Sequence, residues 1–269
     1  MRLFPLIASL LAFVLPPFAA ADDAASGPEM TVGRQVVLIT GASRGIGLEF
    51  ARQFAEAGWE VIATVRDPAR AAELQALARR IPAVRIEPLD VTDHAGVDAL
   101  AAKYRNQPID LLLLNAAQGP KAATAFKSLA GLDFNEARQS FEVNSIGPLK
   151  VAQAFMPHVV ASKRRLVIAM SSDSGSLEAS FRQPVLYHYK ASKAALNMYF
   201  HTLAFEAPRQ GVTVVMLHPG TVKTSPAMGR LPGAMETPVA VAKMLAVIEG
   251  LGPDDNGRFI DYQGNTMPW

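Results

Sequence analysis

The runs Val36-Val37-Leu38-Ile39 and Leu111-Leu112-Leu113-Leu114 are apolar at every position, with no polar residue at alternate sites. A strand with one wet face alternates, so these strands must be covered on both faces, as in a parallel sheet sandwiched by helices. Strand-like segments are predicted at Val36–Thr40, Glu60–Val65, Val84–Pro88, Leu111–Asn115, Leu166–Met170, Val212–Leu217 and Phe259–Asp261. Amphipathic helices are predicted near Ile46–Ala57, Ala69–Arg80, Ala95–Tyr104, Asn135–Val160, Tyr187–Ala207 and Pro238–Glu249. Repeated βα units with right-handed crossovers give a doubly wound α/β fold, here a mostly parallel seven-stranded sheet. With half of its residues hydrophobic and no linker, repeat or low-complexity stretch after Met30, residues 30–269 read as one domain.

Directly after the first strand stands Thr40-Gly41-Ala42-Ser43-Arg44-Gly45-Ile46-Gly47, and a helix follows. Gly41 permits a tight turn, Gly45 lets backbone approach a pyrophosphate, and Gly47 lets the helix pack closely on the strand. The N–H groups at the helix start then face phosphate. The spacing is GxxxGxG rather than GxGxxG. The second strand ends Ala63-Thr64-Val65 and runs into Arg66, where an acidic residue would instead hold ribose hydroxyls and favour NAD. Arg44 and Arg66 converging on one corner suit a 2′-phosphate, so NADP(H) is expected over NAD(H). Asp67, with Pro68 behind it, reads as the cap of the next helix.

Of the five tyrosines only Tyr189 has a lysine four residues on, Lys193, which in a helix shares its face. A nearby ammonium favours phenolate over phenol, and is expected to lower the Tyr189 pKa toward working pH. Such a tyrosine can give a proton to a carbonyl oxygen or take one from an alcohol. Ser171-Ser172 follow the fifth strand at the carboxyl end of the sheet, where open α/β folds bind ligands. Ser172 is placed to donate to the same substrate oxygen, with Ser171 as the alternative. The five histidines show no ligand spacing, and the chain has no cysteine, so no metal site is expected.

The combination of glycine loop, strand-end serine and Tyr-x-x-x-Lys resembles the short-chain dehydrogenase/reductase family, and within it the C-factor and sniffer-like carbonyl reductase branch. The resemblance spans about Val36 to Trp269. It implies a Rossmann domain that passes hydride between nicotinamide and a carbonyl or alcohol, with Asn144, Ser172, Tyr189 and Lys193 as the catalytic tetrad. It implies that Gly41, Ser43, Arg44, Gly45, Ile46 and Gly47 form the cofactor loop, joined by Arg66, and that Asp90 and Val91 contact adenine. Asn115-Ala116-Ala117 would be the structural Asn-Ala-Gly turn, with Ala117 at the usual glycine, a departure expected to crowd the backbone beside the cofactor ribose. Pro219, Gly220, Val222 and Thr224 would meet the nicotinamide, and Tyr189 and Lys193 the adjoining ribose. The family commonly forms dimers or tetramers, which here implies a homodimer or homotetramer.

The near-neutral charge, 26 basic against 24 acidic residues, argues against a nucleic-acid partner. Residues 1–29 differ from the rest: Met1-Arg2, an apolar stretch Leu3–Leu15 and a small-residue site ending at Ala21 describe an export signal. The alternative is translation from Met30, which leaves the domain intact and in the cytoplasm. A substrate pocket is expected from Gln118–Lys127, Asp173–Val185 and Thr224–Thr237, the last reading as a lid or an ordinary surface loop. Phe126, Leu177, Phe181 and Met228 there suit a partly apolar ligand. Two other readings compete with a reductase of aldehydes or ketones. One is a dinucleotide sensor with little turnover; the other is an epimerase or dehydratase, whose GxxGxxG loop is absent here.

Overall fold

A computed structural model describes residues 33–120 and 124–269, so the leader-like segment and residues 121–123 lie outside the described residues. Seven strands form one sheet: β1 Val36–Thr40, β2 Glu60–Val65, β3 Val84–Pro88, β4 Leu111–Leu114, β5 Leu166–Met170, β6 Thr213–His218 and β7 Phe259–Asp261. The order is β3-β2-β1-β4-β5-β6-β7 and every pairing is parallel. β1, β2, β4 and β5 are buried along their whole length, as their uninterrupted apolar runs require.

Alternate residues of each strand feed two hydrophobic layers. On one face Leu38, Leu112 and Val167 meet Phe155 and Phe200; on the other Val37, Leu113 and Ile168 meet Phe50, Phe54 and Met244. The helices that supply these layers are α1 Gly45–Glu56, α2 Ala72–Arg80, α3 His94–Lys103, α4 Phe134–Phe141, α5 Gly147–Val160, α6 Tyr187–Glu206 and α7 Thr237–Gly250.

Two predicted elements change form. The segment Asn135–Val160, expected as one helix, is α4 and α5 joined by a π-helical turn, Glu142–Ile146, with Pro148 at the start of α5. Asp67 does cap, accepting from the Ala69 N–H, but what it caps is a single 3₁₀ turn, Pro68–Arg70, ahead of α2. Elsewhere boundaries move by a residue or so: Asn115 lies beyond β4, and β6 runs to His218.

The outer edge of β7 is covered by the chain's own tail. Thr266 bridges Ile260 in antiparallel fashion and the Met267 N–H donates to the Phe259 carbonyl. An exposed strand edge invites another chain, and this one is paired.

Candidate active site

The strand order reverses between β1 and β4, and such a switch point opens a crevice at the carboxyl ends of the strands. Asn115 locks it. Its side-chain amide donates to the carbonyls of Thr40 at 3.0 Å and Gly41 at 3.2 Å. The backbone N–H groups of Asn115 and Ala116 both donate to the Thr40 hydroxyl, each at 3.0 Å. Gly41 has φ of +71°, and a Cβ there would stand 2.8 Å from the Ala116 α-carbon. A Cβ on Gly47 would meet the Gly41 carbonyl oxygen at 2.4 Å and the Asn115 amide at 2.5 Å, so α1 approaches the sheet as only glycine allows.

This loop fits a dinucleotide. Arg44 begins α1 in extended backbone and no side chain caps the helix, so its first N–H groups are left to a ligand. The Arg44 and Arg66 side chains are exposed, and neither pairs with a carboxylate among the described residues. Ser43 and Ile46 flank the glycines, both half-buried. Across the crevice Asp90 closes a tight turn by accepting from the N–H and hydroxyl of Thr92, while Val91 packs on Gly147 at the start of α5. Ala117 is exposed and takes no positive φ. From the far side, Thr224 reaches the glycine loop: a Cβ on Gly45 would lie 3.4 Å from the Thr224 methyl. Pro219 and Gly220 lead to it, with Gly220 at φ +73° beneath the Tyr262 ring. Val222 is buried and bridges Met235, which ties both ends of the 224–234 loop together.

The second half of the site stands on β5 and α6. Ser172 closes the strand, and the 3₁₀ turn Asp173–Gly175 folds back against α6. Gly175 makes that approach possible, since a Cβ there would meet the Lys193 carbonyl at 2.9 Å. Ser172 is thereby brought beside Tyr189, which sits in the first turn of α6, while its hydroxyl donates to Asp173 at 2.9 Å. Ser171 points elsewhere: its hydroxyl donates to Asn197 in the core at 2.5 Å, which removes it as the alternative to Ser172.

Lys193 lies on the same helical face as Tyr189, as its spacing requires, but its effect differs from the expectation. Its Nζ donates to the Met170 carbonyl at 2.7 Å, and burial brings its pKa down to about 8. The Tyr189 pKa is raised rather than lowered: burial dominates, the Ser172 hydrogen bond opposes it, and the Asp173 charge adds to it. Desolvation of the phenol outweighs an ammonium that faces a backbone carbonyl.

Asn144 is fully buried in the π turn. Its side chain accepts from the Gln118 N–H at 2.7 Å and donates to the Gln118 carbonyl and the Ser192 hydroxyl, both at 3.0 Å. Ser192 in turn donates to the Tyr189 carbonyl, and Ser145 donates to the Ser192 carbonyl. The π turn therefore grips α6 at Ser192, immediately before Lys193. Sequence reasoning missed Gly175, Asn197 and the Asp173–His218 contact. Only Gly175 carried a visible signal, a glycine three residues after Ser172.

Leu177 is 89% exposed and Phe126 78%, and Phe181 and Tyr187 are exposed as well. A separate groove of about 590 Å³ lies along α7 and β7, lined by Lys243, Val247, Arg258 and Tyr262, and includes none of the predicted site residues.

Residues 35–233 match the family described as short chain dehydrogenase. The chain belongs to this family. It is 36% identical to the C-signal protein of Myxococcus xanthus over 171 residues, 64% of this chain and 99% of that one. An NADPH-bound carbonyl reductase from chicken fatty liver superposes with a TM-score of 0.79 at 33% identity, covering 88% of this chain and 99% of the other. The carbonyl reductase Sniffer of D. melanogaster gives 0.79 at 26% identity, with 88% and 100% covered. The chain is a short-chain oxidoreductase of the carbonyl reductase branch.

Proposed function

We propose that the chain reduces apolar aldehydes or ketones with NADPH. One observation carries the reading: Tyr189, with Ser172 beside it, stands at the same sheet edge as a glycine loop whose Gly41 and Gly47 admit no Cβ. Gly41, Ser43, Arg44, Gly45, Ile46, Gly47 and Arg66 would hold the phosphates, Asp90 and Val91 the adenine, and Asn115, Ala116 and Ala117 the path between. Pro219, Gly220, Val222 and Thr224 would hold the nicotinamide end, with Lys193 near its ribose. When bound, NADPH supplies the hydride; the protein supplies placement and the proton.

Tyr189 keeps its proton at neutral pH because burial disfavours the phenolate, which makes it an acid for a carbonyl oxygen. Ser172 lies beside that hydroxyl, and Asn144 holds α6 in register through Ser192. The exposed Leu177, Phe126 and Phe181 gain from covering an apolar substrate. Intrinsic fluorescence titrated with NADPH and with NADH, followed by NADPH consumption on a panel of aldehydes and ketones, tests this. Saturable NADPH binding with turnover is expected. Binding without turnover on any carbonyl would return the chain to a sensor role.

A further inference from the structure

The chain leaves the catalytic serine turn after Gly175 and enters α6 at Tyr187, so the loop 176–186 joins Ser172 to Tyr189. Burial does little to hold it: of residues 177–184 only Ser180 is not exposed. A loop with so little buried surface keeps its place only where polar contacts fix it. At one end the Ser176 hydroxyl accepts from the N–H groups of Glu178 at 3.2 Å and Ala179 at 2.8 Å, and the Glu178 N–H also donates to the Trp269 carbonyl. At the other end Leu186 takes a left-handed φ of +58°, and its N–H donates to the Ala125 carbonyl at 2.8 Å.

The middle of the loop is held from α6 by one side chain. Lys190 Nζ donates to the Phe181 carbonyl at 2.8 Å and to the Gln183 carbonyl at 3.3 Å, and it stands 4.0 Å from the centre of the Phe181 ring. A cation at that distance over an aromatic face is attracted to it. The other bonds of this stretch are local, from the Gln183 N–H to the Phe181 carbonyl and from the Val185 N–H to the Gln183 carbonyl. Among the described residues, Lys190 is therefore what ties 181–184 to another element. Its own backbone is fixed too, since the Lys190 N–H donates to the Leu186 carbonyl at 2.9 Å. Lys190 directly follows Tyr189, so the pin of the loop and the phenol ride on one turn of α6.

Resting on the carbonyl reductase reading, we propose that Lys190 is a positioning residue that pins the 176–186 loop as a wall of the substrate end of the cleft and so sets affinity for the carbonyl compound. Both ends of the loop lie at the catalytic pair, so a substrate held by Ser172 and Tyr189 has the loop beside it, with Leu177 and Phe181 exposed on it. Freed from Lys190, the loop samples other positions, and substrate binds only the fraction that is in place. Apparent affinity falls by that fraction, while a complex once formed reacts as before.

The test compares Lys190→Met, which keeps the stem but removes charge and donors, with Lys190→Arg, which keeps both. Trypsin reads the loop directly, because Arg182 is exposed at its middle. In Lys190→Met the bond after Arg182 is expected to be cut about tenfold faster, while the bond after Arg105, in an exposed turn following α3, is cut at the parental rate. In the same protein the KM for an apolar ketone is expected to rise about tenfold, with kcat and NADPH affinity held within about twofold. Lys190→Arg is expected to restore both readings. Cutting after Arg182 that is no faster than in the parent overturns the pin. Faster cutting with KM unchanged, or with kcat falling instead, overturns its part in substrate binding. If Lys190→Met does not fold, Lys190→Gln, which keeps a neutral donor, carries the same readings. If the parent turns over no carbonyl compound, the reductase reading fails, while the cut after Arg182 still judges the pin.

Discussion

The two halves of the cleft are made from different materials. Under β1 and β4 the walls are backbone: Gly41 and Gly47 leave no room for a Cβ, and Asn115 stitches two carbonyls together. Beyond β5 the walls are side chains, namely a phenol, an amine, a carboxylate and an imidazole, with burial shifting the phenol, the amine and the imidazole and the carboxylate acting on the phenol and the imidazole. A backbone wall has one answer, which is whether it fits. A wall of titratable groups has several, selected by pH and by which hydrogen bond forms.

Changes that strike each half separate these behaviours. Tyr189→Phe is expected to lower carbonyl turnover by about a thousandfold while NADPH binding survives, read by steady-state rates beside fluorescence titration. Undiminished turnover would break the account of the side-chain half. Gly47→Ala attacks the other half: the methyl meets the Gly41 carbonyl and the Asn115 amide, both part of the lock. A loss of about 3 kcal/mol in denaturant unfolding is expected, with nucleotide binding lost alongside.

Lys193 gives a pH test with a definite sign. Its pKa is about 8 when folded and about 10.5 when unfolded, so the unfolded chain binds more protons between those values. The stability of the parent relative to Lys193→Met is therefore expected to rise by about 2 kcal/mol from pH 7 to pH 10, in chemical melts at each pH. A flat difference would mean that the ammonium is not desolvated. Arg44→Ala and Arg66→Ala are each expected to weaken NADPH by about 2 kcal/mol and leave NADH unchanged, by titration with both nucleotides. Equal weakening of both would remove the 2′-phosphate from the argument. The smallest effect is at the rim: Leu177→Ser is expected to raise KM for apolar ketones severalfold and to move stability by no more than about 0.5 kcal/mol.

The same division governs what could be read from the sequence. Uninterrupted apolar runs at Val36–Ile39 and Leu111–Leu114 announce strands covered on both faces, and all seven strands lie where their patterns put them to within a residue or so. Glycine spacing announces the backbone half because a missing Cβ is itself the signal. The break at Glu142–Ile146 left its trace in Gly147-Pro148 inside the expected helix, but not its π form, which Asn144 stabilises through partners distant in the chain. The direction of the Tyr189 shift was misread for a related reason. Spacing puts Lys193 on the correct face but does not reveal that its ammonium turns to Met170, nor that Asp173 lies across from the phenol.

The tail over β7 has a practical consequence. Trp269 in this stretch accepts a hydrogen bond from the Glu178 N–H at 3.1 Å, and its ring packs on His201 and Phe259. One short stretch thus seals a sheet margin and braces the loop that carries Leu177. Displacing this stretch would therefore loosen the sheet margin and the Leu177 loop together.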